Sequence, residues 1–180
     1  AYVGQQITYT FGFYQAEQLT GDVDYQPAAT PGFVAENLPN PANTNEVLNG
    51  RTYAVQRRKK ALFATTPGPH TIGKASVTVT LDPFSGPTEL VAPPLVVTVL
   101  PLPTQGRPPG FGGAVGQFRV TLSADRQAVR AGETINLQVQ VTGNGNLRSL
   151  AAPQLNLPSW ARVYPAGETR KAEAGGAGNP

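Results

Sequence analysis

Residues 101–118 read PLPTQGRPPGFGGAVGQF. Pro101, Pro103, Pro108 and Pro109 come first, and Gly106, Gly110, Gly112, Gly113 and Gly116 crowd the second half. Proline has no amide hydrogen to give a sheet, and glycine has no side chain to pack there. The stretch therefore sits between sheets and not inside one. Both flanks alternate like half-buried strands: LVVTVL over residues 95–100 and FRVTL over residues 118–122. A Pro/Gly joint between alternating segments reads as a boundary between β domains. Within it, Arg107 and Phe111 are the residues expected to fix the angle between them.

The two sides of the joint repeat one another. Residues 3–13, VGQQITYTFGF, align with residues 131–141, AGETINLQVQV. Gly4 falls on Gly132 and Ile7 on Ile135, and the apolar alternation stays in phase. Leu19 then matches Leu147, and Phe33 and Trp160 follow as paired core aromatics. The period exceeds a hundred residues, so the repeated unit is a domain and not a solenoid turn. A strand candidate precedes Gly132, but only three residues precede Gly4. The reading is of an excerpt, with unit one lacking its first strand and unit two its second half.

Composition narrows the class. Proline and glycine number 18 and 20 of 180 residues, high but short of a disordered chain, and 39% hydrophobic content allows a core. There is no cysteine, so no disulfide or thiolate chemistry is available. A net charge of +3 is too mild to argue for nucleic acid. No apolar run approaches the ~18 residues that a spanning helix needs.

Along the chain, Ile7, Tyr9, Phe11 and Phe13 point one way and Thr8, Thr10 and Gly12 the other. Residues 23–26 and 33–36 are short strands. Residues 38–49 read as an Asn/Pro-rich loop, residues 51–65 as a strand pair or bent strand, and residues 82–94 as a second loop. Ala75, Val77, Val79 and Leu81 share a face. In unit two, Ile135, Leu137, Val139 and Val141 form the best strand, followed by a Gly143-Asn144-Gly145-Asn146 turn suited to positive φ. No helix is expected. Short strands at this spacing predict an all-β fold of antiparallel, immunoglobulin-like β-sandwich domains in tandem, the second incomplete. The divisions are residues 1–101, a sandwich lacking its first strand; 102–117, the joint; 118–167, the first half of a second domain; and 168–180, a disordered tail.

Catalytic chemistry finds little support. His70 is the lone histidine and reads as an exposed turn residue. Asp22 and Asp24 could touch calcium, yet a solvated turn explains them as well. No serine stands in a nucleophile elbow, no phosphate loop is present, and the acidic residues are scattered. The expectation is a non-enzyme with no cofactor and no metal of its own. The run Arg57-Arg58-Lys59-Lys60 has two readings: a charged edge strand that resists sheet-to-sheet aggregation, or a docking site for an acidic partner or lipid headgroups. In a strand its charges split between two faces.

Several segments together resemble the BatD family of bacterial aerotolerance proteins: Val3-Gly4-Gln5-Gln6-Ile7; Ala61-Leu62-Phe63 leading to Gly68 and Thr71-Ile72-Gly73; Gly106-Arg107-Pro108 with residues 110–116, GFGGAVG; and residues 143–147, GNGNL, followed by Pro153 and Val163-Tyr164-Pro165. Lys60 and Ala64 depart from that pattern, where an aromatic and a proline are expected. The resemblance implies tandem immunoglobulin-like domains in a periplasmic or otherwise extracytoplasmic protein, held to the membrane by an anchor outside this chain. It implies protein partners, among them von Willebrand factor A-domain proteins, in systems that include a MoxR-type ATPase. The function expected is scaffolding through sheet faces, edges and loops in oxygen tolerance or stress response. Glu36 or Asp22 would complete an A-domain partner's metal site. The alternative is a carbohydrate-binding or adhesive module, which needs a coplanar row of exposed aromatics from Tyr14, Tyr25 and Phe84.

Overall fold

A computed structural model of the chain describes residues 1–19, 21–81, 84, 86–107, 109–146, 150, 158–164, 167 and 169. Most of the expected tail, along with Leu147 and Pro153, lies outside them. Among the described residues there is no helix, and the regular structure is antiparallel strand: β1 (Gln6–Gln15), β2 (Asp24–Gln26), β3 (Phe33–Leu38), β4 (Thr44–Leu48), β5 (Arg51–Ala64), β6 (Gly68–Ile72), β7 (Ala75–Val79), β8 (Thr88–Ala92), β9 (Leu95–Val99), β10 (Phe118–Ala124) and β11 (Leu137–Gly143).

One layer is built on β5. Along one edge β1 pairs with it from Gln6 opposite Phe63 to Gln15 opposite Ala54. Along the other, β3 takes residues 59–64 and β4 takes residues 51–55. The loop expected over residues 38–49 is therefore corrected, since β4 lies within it. Leu48 faces Arg51, which leaves Asn49-Gly50 as a two-residue turn with φ of 52° and 77°. Both residues in the left-handed region make the hairpin turn that matches strand twist, and Asn-Gly is its strongest sequence signal. The Asn/Pro content of the preceding residues masked it.

The second layer is one long hairpin with an interruption. β6 pairs with β9 from Gly68 opposite Val99 to Ile72 opposite Leu95. β7 pairs with β8 in the same phase, from Ala75 opposite Ala92 to Val79 opposite Thr88. The gap sets Gly73-Lys74 against Pro93-Pro94, where no amide hydrogen exists to continue the ladder. The Gly73 N–H turns to the other side and donates to the Ala29 carbonyl at 2.8 Å. Ala29 is in phase with the pairing of β2 on β7. β8 corrects the second expected loop.

The layers meet around Leu62, which is fully buried and clusters with Ala28, Ile72 and Ala75. Ile7, Tyr9, Phe11 and Phe33 pack onto it from the first layer, and Tyr25, Ala92 and Val97 from the second. Burying Leu62 stabilises the fold by about 1.5–3 kcal/mol. The predicted inward face of β1 is the observed one, with Thr8 and Thr10 exposed. Ala75, Val77 and Val79 are buried as expected, but Leu81 lies past the strand end and is 53% exposed.

His70 is corrected from an exposed turn to a half-buried place on β6. Its Nε2 lies 2.8 Å from the Thr66 carbonyl oxygen and its ring packs on Phe33. Gly32 beneath the ring has no room for a Cβ. The N-terminal residues lash the layers together. The Val3 N–H donates to the Leu100 carbonyl at 3.0 Å, and the Gly4 N–H to the Ala64 carbonyl at 3.0 Å.

Beyond the joint, β10 and β11 form a two-stranded ribbon closed at both ends by side chains. Asn144 Oδ1 accepts from the Gln117 N–H at 2.9 Å, and the Asp125 carboxylate accepts two bonds from Asn136 at 3.0 and 2.9 Å. The expected positive φ in residues 143–146 is not observed. Gly143 and Gly145 serve close approach instead, because a Cβ at Gly145 would overlap the Phe118 ring and one at Gly143 the Gln117 carbonyl. Trp160 is not a core residue: it is 84% exposed, and among the described residues the ribbon has no second layer to bury it.

The two units enter their repeated strands by the same turn. The Gln5 N–H donates to the Tyr2 carbonyl and the Glu133 N–H to the Arg130 carbonyl, both at 3.0 Å. Gly4 and Gly132 hold φ of 74° and 91° within them.

Candidate interaction face

Alternation along β5 sends Tyr53, Val55, Arg57 and Lys59 to the outer face of the first layer. Gln56, Arg58, Lys60 and Leu62 take the inner face. The split of the basic run is as expected, but the edge-strand reading is corrected: β5 is paired along both edges. The Asn49-Gly50 hairpin and β3 cover the edge that the sequence left open.

On the outer face Arg57 is held from both neighbouring strands. It makes a two-pronged ion pair with Glu46 on β4, at 2.6 and 2.8 Å, and donates to the Tyr14 hydroxyl on β1 at 3.1 Å. Its guanidinium lies 5.7 Å from the Tyr14 ring centroid. Hydrogen bonding to Glu46, then to Tyr14, holds the guanidinium's pKa above its ordinary value. The Glu46 carboxyl is held below its own chiefly by Arg57. Tyr14 meets Tyr53 edge-on, and Arg51 lies over Tyr53 at 5.9 Å while its Nη2 pairs with Glu17 at 2.7 Å. The result is a cross-strand ladder of tyrosine and arginine on a sheet surface. Lys59 continues this face, and its backbone N–H donates to Asn40 Oδ1 at 3.3 Å.

On the inner face Arg58 lies 5.2 Å from the Tyr25 ring, which packs on Phe11 at 4.7 Å. Burial raises the Tyr25 hydroxyl pKa, Tyr9 adds to the rise and Arg58 opposes it; burial alone raises that of Tyr9. Lys60 sits in register between Tyr9 and Asn37.

The other sequence candidates scatter. Arg107 lies over Phe111 at 5.4 Å and donates to the Pro103 carbonyl at 3.2 Å, so these two do meet in the joint. Glu36 is half-buried on β3 of the first layer, opposite Ala61; Asp22 is exposed in the segment entering β2 of the second. Among the described residues no three His, Asp or Glu side chains gather as a metal site. Tyr14 lies on the outer face of the first layer, Tyr25 belongs to β2 of the second layer and packs against the first layer's inner face, and Phe84 is 99% exposed outside any strand. The coplanar aromatic row does not form.

Tyr53, Glu46, Arg51 and Glu17 were not legible as site residues. The signal was the Asn49-Gly50 pair, which sets Glu46 opposite Tyr53 and within reach of Arg57. A polar cleft of about 410 Å³ lies between Tyr2, Gln6 and Thr8 on one side and Val115, Gln117 and Asn144 on the other. Compared with protein-family models, with curated proteins and with solved structures, the chain matches none.

Proposed function

We propose that the chain is a non-enzymatic docking segment built from immunoglobulin-like units, which binds a protein through the outer face of its β1–β5 layer. The strand arrangement supports the fold reading. One layer holds β1 and β5 with β3 and β4; the other holds β2, the β6–β7 strand and the β8–β9 strand. Two antiparallel layers divided in this way are the arrangement that an immunoglobulin-type order calls for, and support that reading.

The observation that carries docking is the ladder of Tyr14, Arg57, Tyr53 and Arg51. Tyrosine and arginine concentrate binding energy at interfaces because each joins a broad apolar surface to directed hydrogen bonds. Here cross-strand contacts hold them in place before any partner arrives, which lowers the ordering cost of binding. The partner class proposed is a von Willebrand factor A-domain protein, in an extracytoplasmic, membrane-anchored, BatD-like assembly serving aerotolerance or stress response.

The test is binding of the purified chain to a von Willebrand factor A-domain protein, with and without a chelator. Arg57→Ala and Tyr14→Ala should each weaken binding about tenfold or more. Loss on chelation would point to a metal bridged by Glu36 or Asp22. Unchanged affinity in both ladder variants would remove the ladder from the interface, and absence of binding would remove this partner class.

A further inference from the structure

The sequence holds two Asn-Gly pairs, Asn49-Gly50 and Asn144-Gly145. Asparagine before glycine is chemically labile. The next backbone nitrogen can attack the side-chain carbonyl carbon, and glycine puts no β-carbon in its path. The attack is intramolecular, so its rate depends on how freely the two atoms can meet. Local structure then decides which pair reacts.

The fold treats the two pairs differently. Asn144 is pinned: its Oδ1 accepts from the Gln117 N–H at 2.9 Å, and its own N–H donates to the Gln117 carbonyl at 3.2 Å. Gly145 is buried so closely on the Phe118 ring and the Val115 carbonyl that a methyl group would not fit. Its nitrogen cannot swing toward the Asn144 side chain without breaking that packing. Asn49 and Gly50 are both exposed at the tip of the β4–β5 hairpin. Among the described residues nothing hydrogen-bonds the Asn49 side chain, and the space beside the Gly50 Cα is open. A hairpin tip is also where pairing loosens first.

We infer that Asn49 is a site of spontaneous deamidation and isomerisation, and that the isomerised product releases Glu46 from Arg57. The Gly50 nitrogen attacks Asn49 Cγ and the new N–C bond closes a succinimide. The Cγ–Nδ2 bond breaks, and Nδ2 leaves as ammonia with the proton that the Gly50 nitrogen gives up. Water then opens the ring. Cleavage of the bond to Cγ gives aspartate. Cleavage of the bond to the main-chain carbonyl carbon gives isoaspartate, whose backbone is lengthened by the side-chain methylene. A two-residue turn has no slack for that addition. The Leu48–Arg51 and Glu46–Tyr53 pairs lie directly behind the turn, and Glu46 reaches Arg57 with both oxygens from there. The inference stands apart from docking, because it is read by mass and by resonance and not by binding.

The test is incubation of the purified chain at neutral pH, with peptide mapping by mass spectrometry over time. Asn49 should convert about tenfold faster than Asn144. Synthetic peptides of residues 46–53, EVLNGRTY, and 141–148, VTGNGNLR, should convert at like rates, which assigns the difference to the fold. Isoaspartate, detected with an isoaspartyl methyltransferase, should exceed aspartate at Asn49. The isoaspartate form should lose the parent's Arg57 guanidinium resonances. Freshly made Asn49→Asp adds the charge without lengthening the backbone and should keep them. Asn144 converting as fast as Asn49 in the folded chain, or peptides that differ as much as the chain does, would overturn the site. Aspartate as the main product, parent resonances kept in the isoaspartate form, or their equal loss in Asn49→Asp would overturn the release of Glu46.

Discussion

Gln5 and Glu133 do the same work in two turns that lie 128 residues apart in the sequence. The Gln5 Oε1 accepts from the Tyr2 N–H at 2.8 Å, and the Glu133 Oε2 accepts from the Arg130 N–H at 3.0 Å. In each turn the backbone bond runs back the other way, so one residue closes the turn twice. The intervening glycine supplies the left-handed φ that a β-carbon would resist.

Gly4→Ala is therefore expected to destabilise unit one by about 1–2 kcal/mol, the usual cost of an L side chain in that region. Gln5→Ala should cost about 0.5–1.5 kcal/mol for the lost side-chain bond. Urea denaturation followed by tryptophan-independent circular dichroism measures both. A Gly4→Ala protein as stable as the parent would mean that the turn relaxes to another form.

Gly50 sits at φ 77° with open space where a Cβ would lie. Gly50→Ala thus isolates conformational strain from crowding. It should cost about 1–2 kcal/mol and open the β4–β5 hairpin first. Amide exchange at Glu46 and Tyr53 would rise before exchange at Ala61 and Leu62. Uniform loss of protection across β5 would show that the hairpin does not open as a local unit.

Much of the fold was legible because period-2 alternation depends only on local sequence. The inward set Ile7, Tyr9, Phe11 and the buried set Ala75, Val77, Val79 were both readable in this way. What composition hid was pairing. Thr44–Leu48 and Thr88–Ala92 are strands because a partner lies alongside, and their own residues alternate weakly between Asn- or Pro-rich flanks. The ladder shared this fate. Arg57 and Tyr14 were visible separately, but only the β1–β5 and β4–β5 registers bring Tyr14 and Glu46 to the same guanidinium. Trp160 failed for the opposite reason: a repeat transfers residue types but not the layer needed to bury them.

The Arg57–Glu46 pair predicts a pH dependence of definite sign. The folded Glu46 carboxyl has its pKa lowered from the ordinary 4.5, so the unfolded chain binds its proton more tightly. Its contribution is present above that ordinary value and is lost as pH falls through the lower folded one. Comparing the parent with Glu46→Gln should show a stability gap at neutral pH that closes on acidification below about pH 4. Arg57→Lys should narrow the same gap, because an ammonium cannot make the two-pronged contact. A gap that persists at low pH would assign the effect of Glu46 to packing and not to charge.

Leu62 tests whether the two layers share one core. It lies on β5 between Ile7 and Ala35 in register, and faces Ile72 and Ala75 of the opposite layer. Leu62→Ala removes apolar atoms from the point where both layers meet, leaving neighbours on rigid strands that cannot close the gap. The expected loss is about 2–5 kcal/mol. The loss should appear in both layers together, so exchange at Val77 must accelerate with exchange at Tyr9. The β10–β11 ribbon contributes nothing to that cluster, and Gln140 should keep its parent protection. Acceleration at Tyr9 without acceleration at Val77 would mean that the layers are stabilised separately, and the sandwich would then not unfold as one unit.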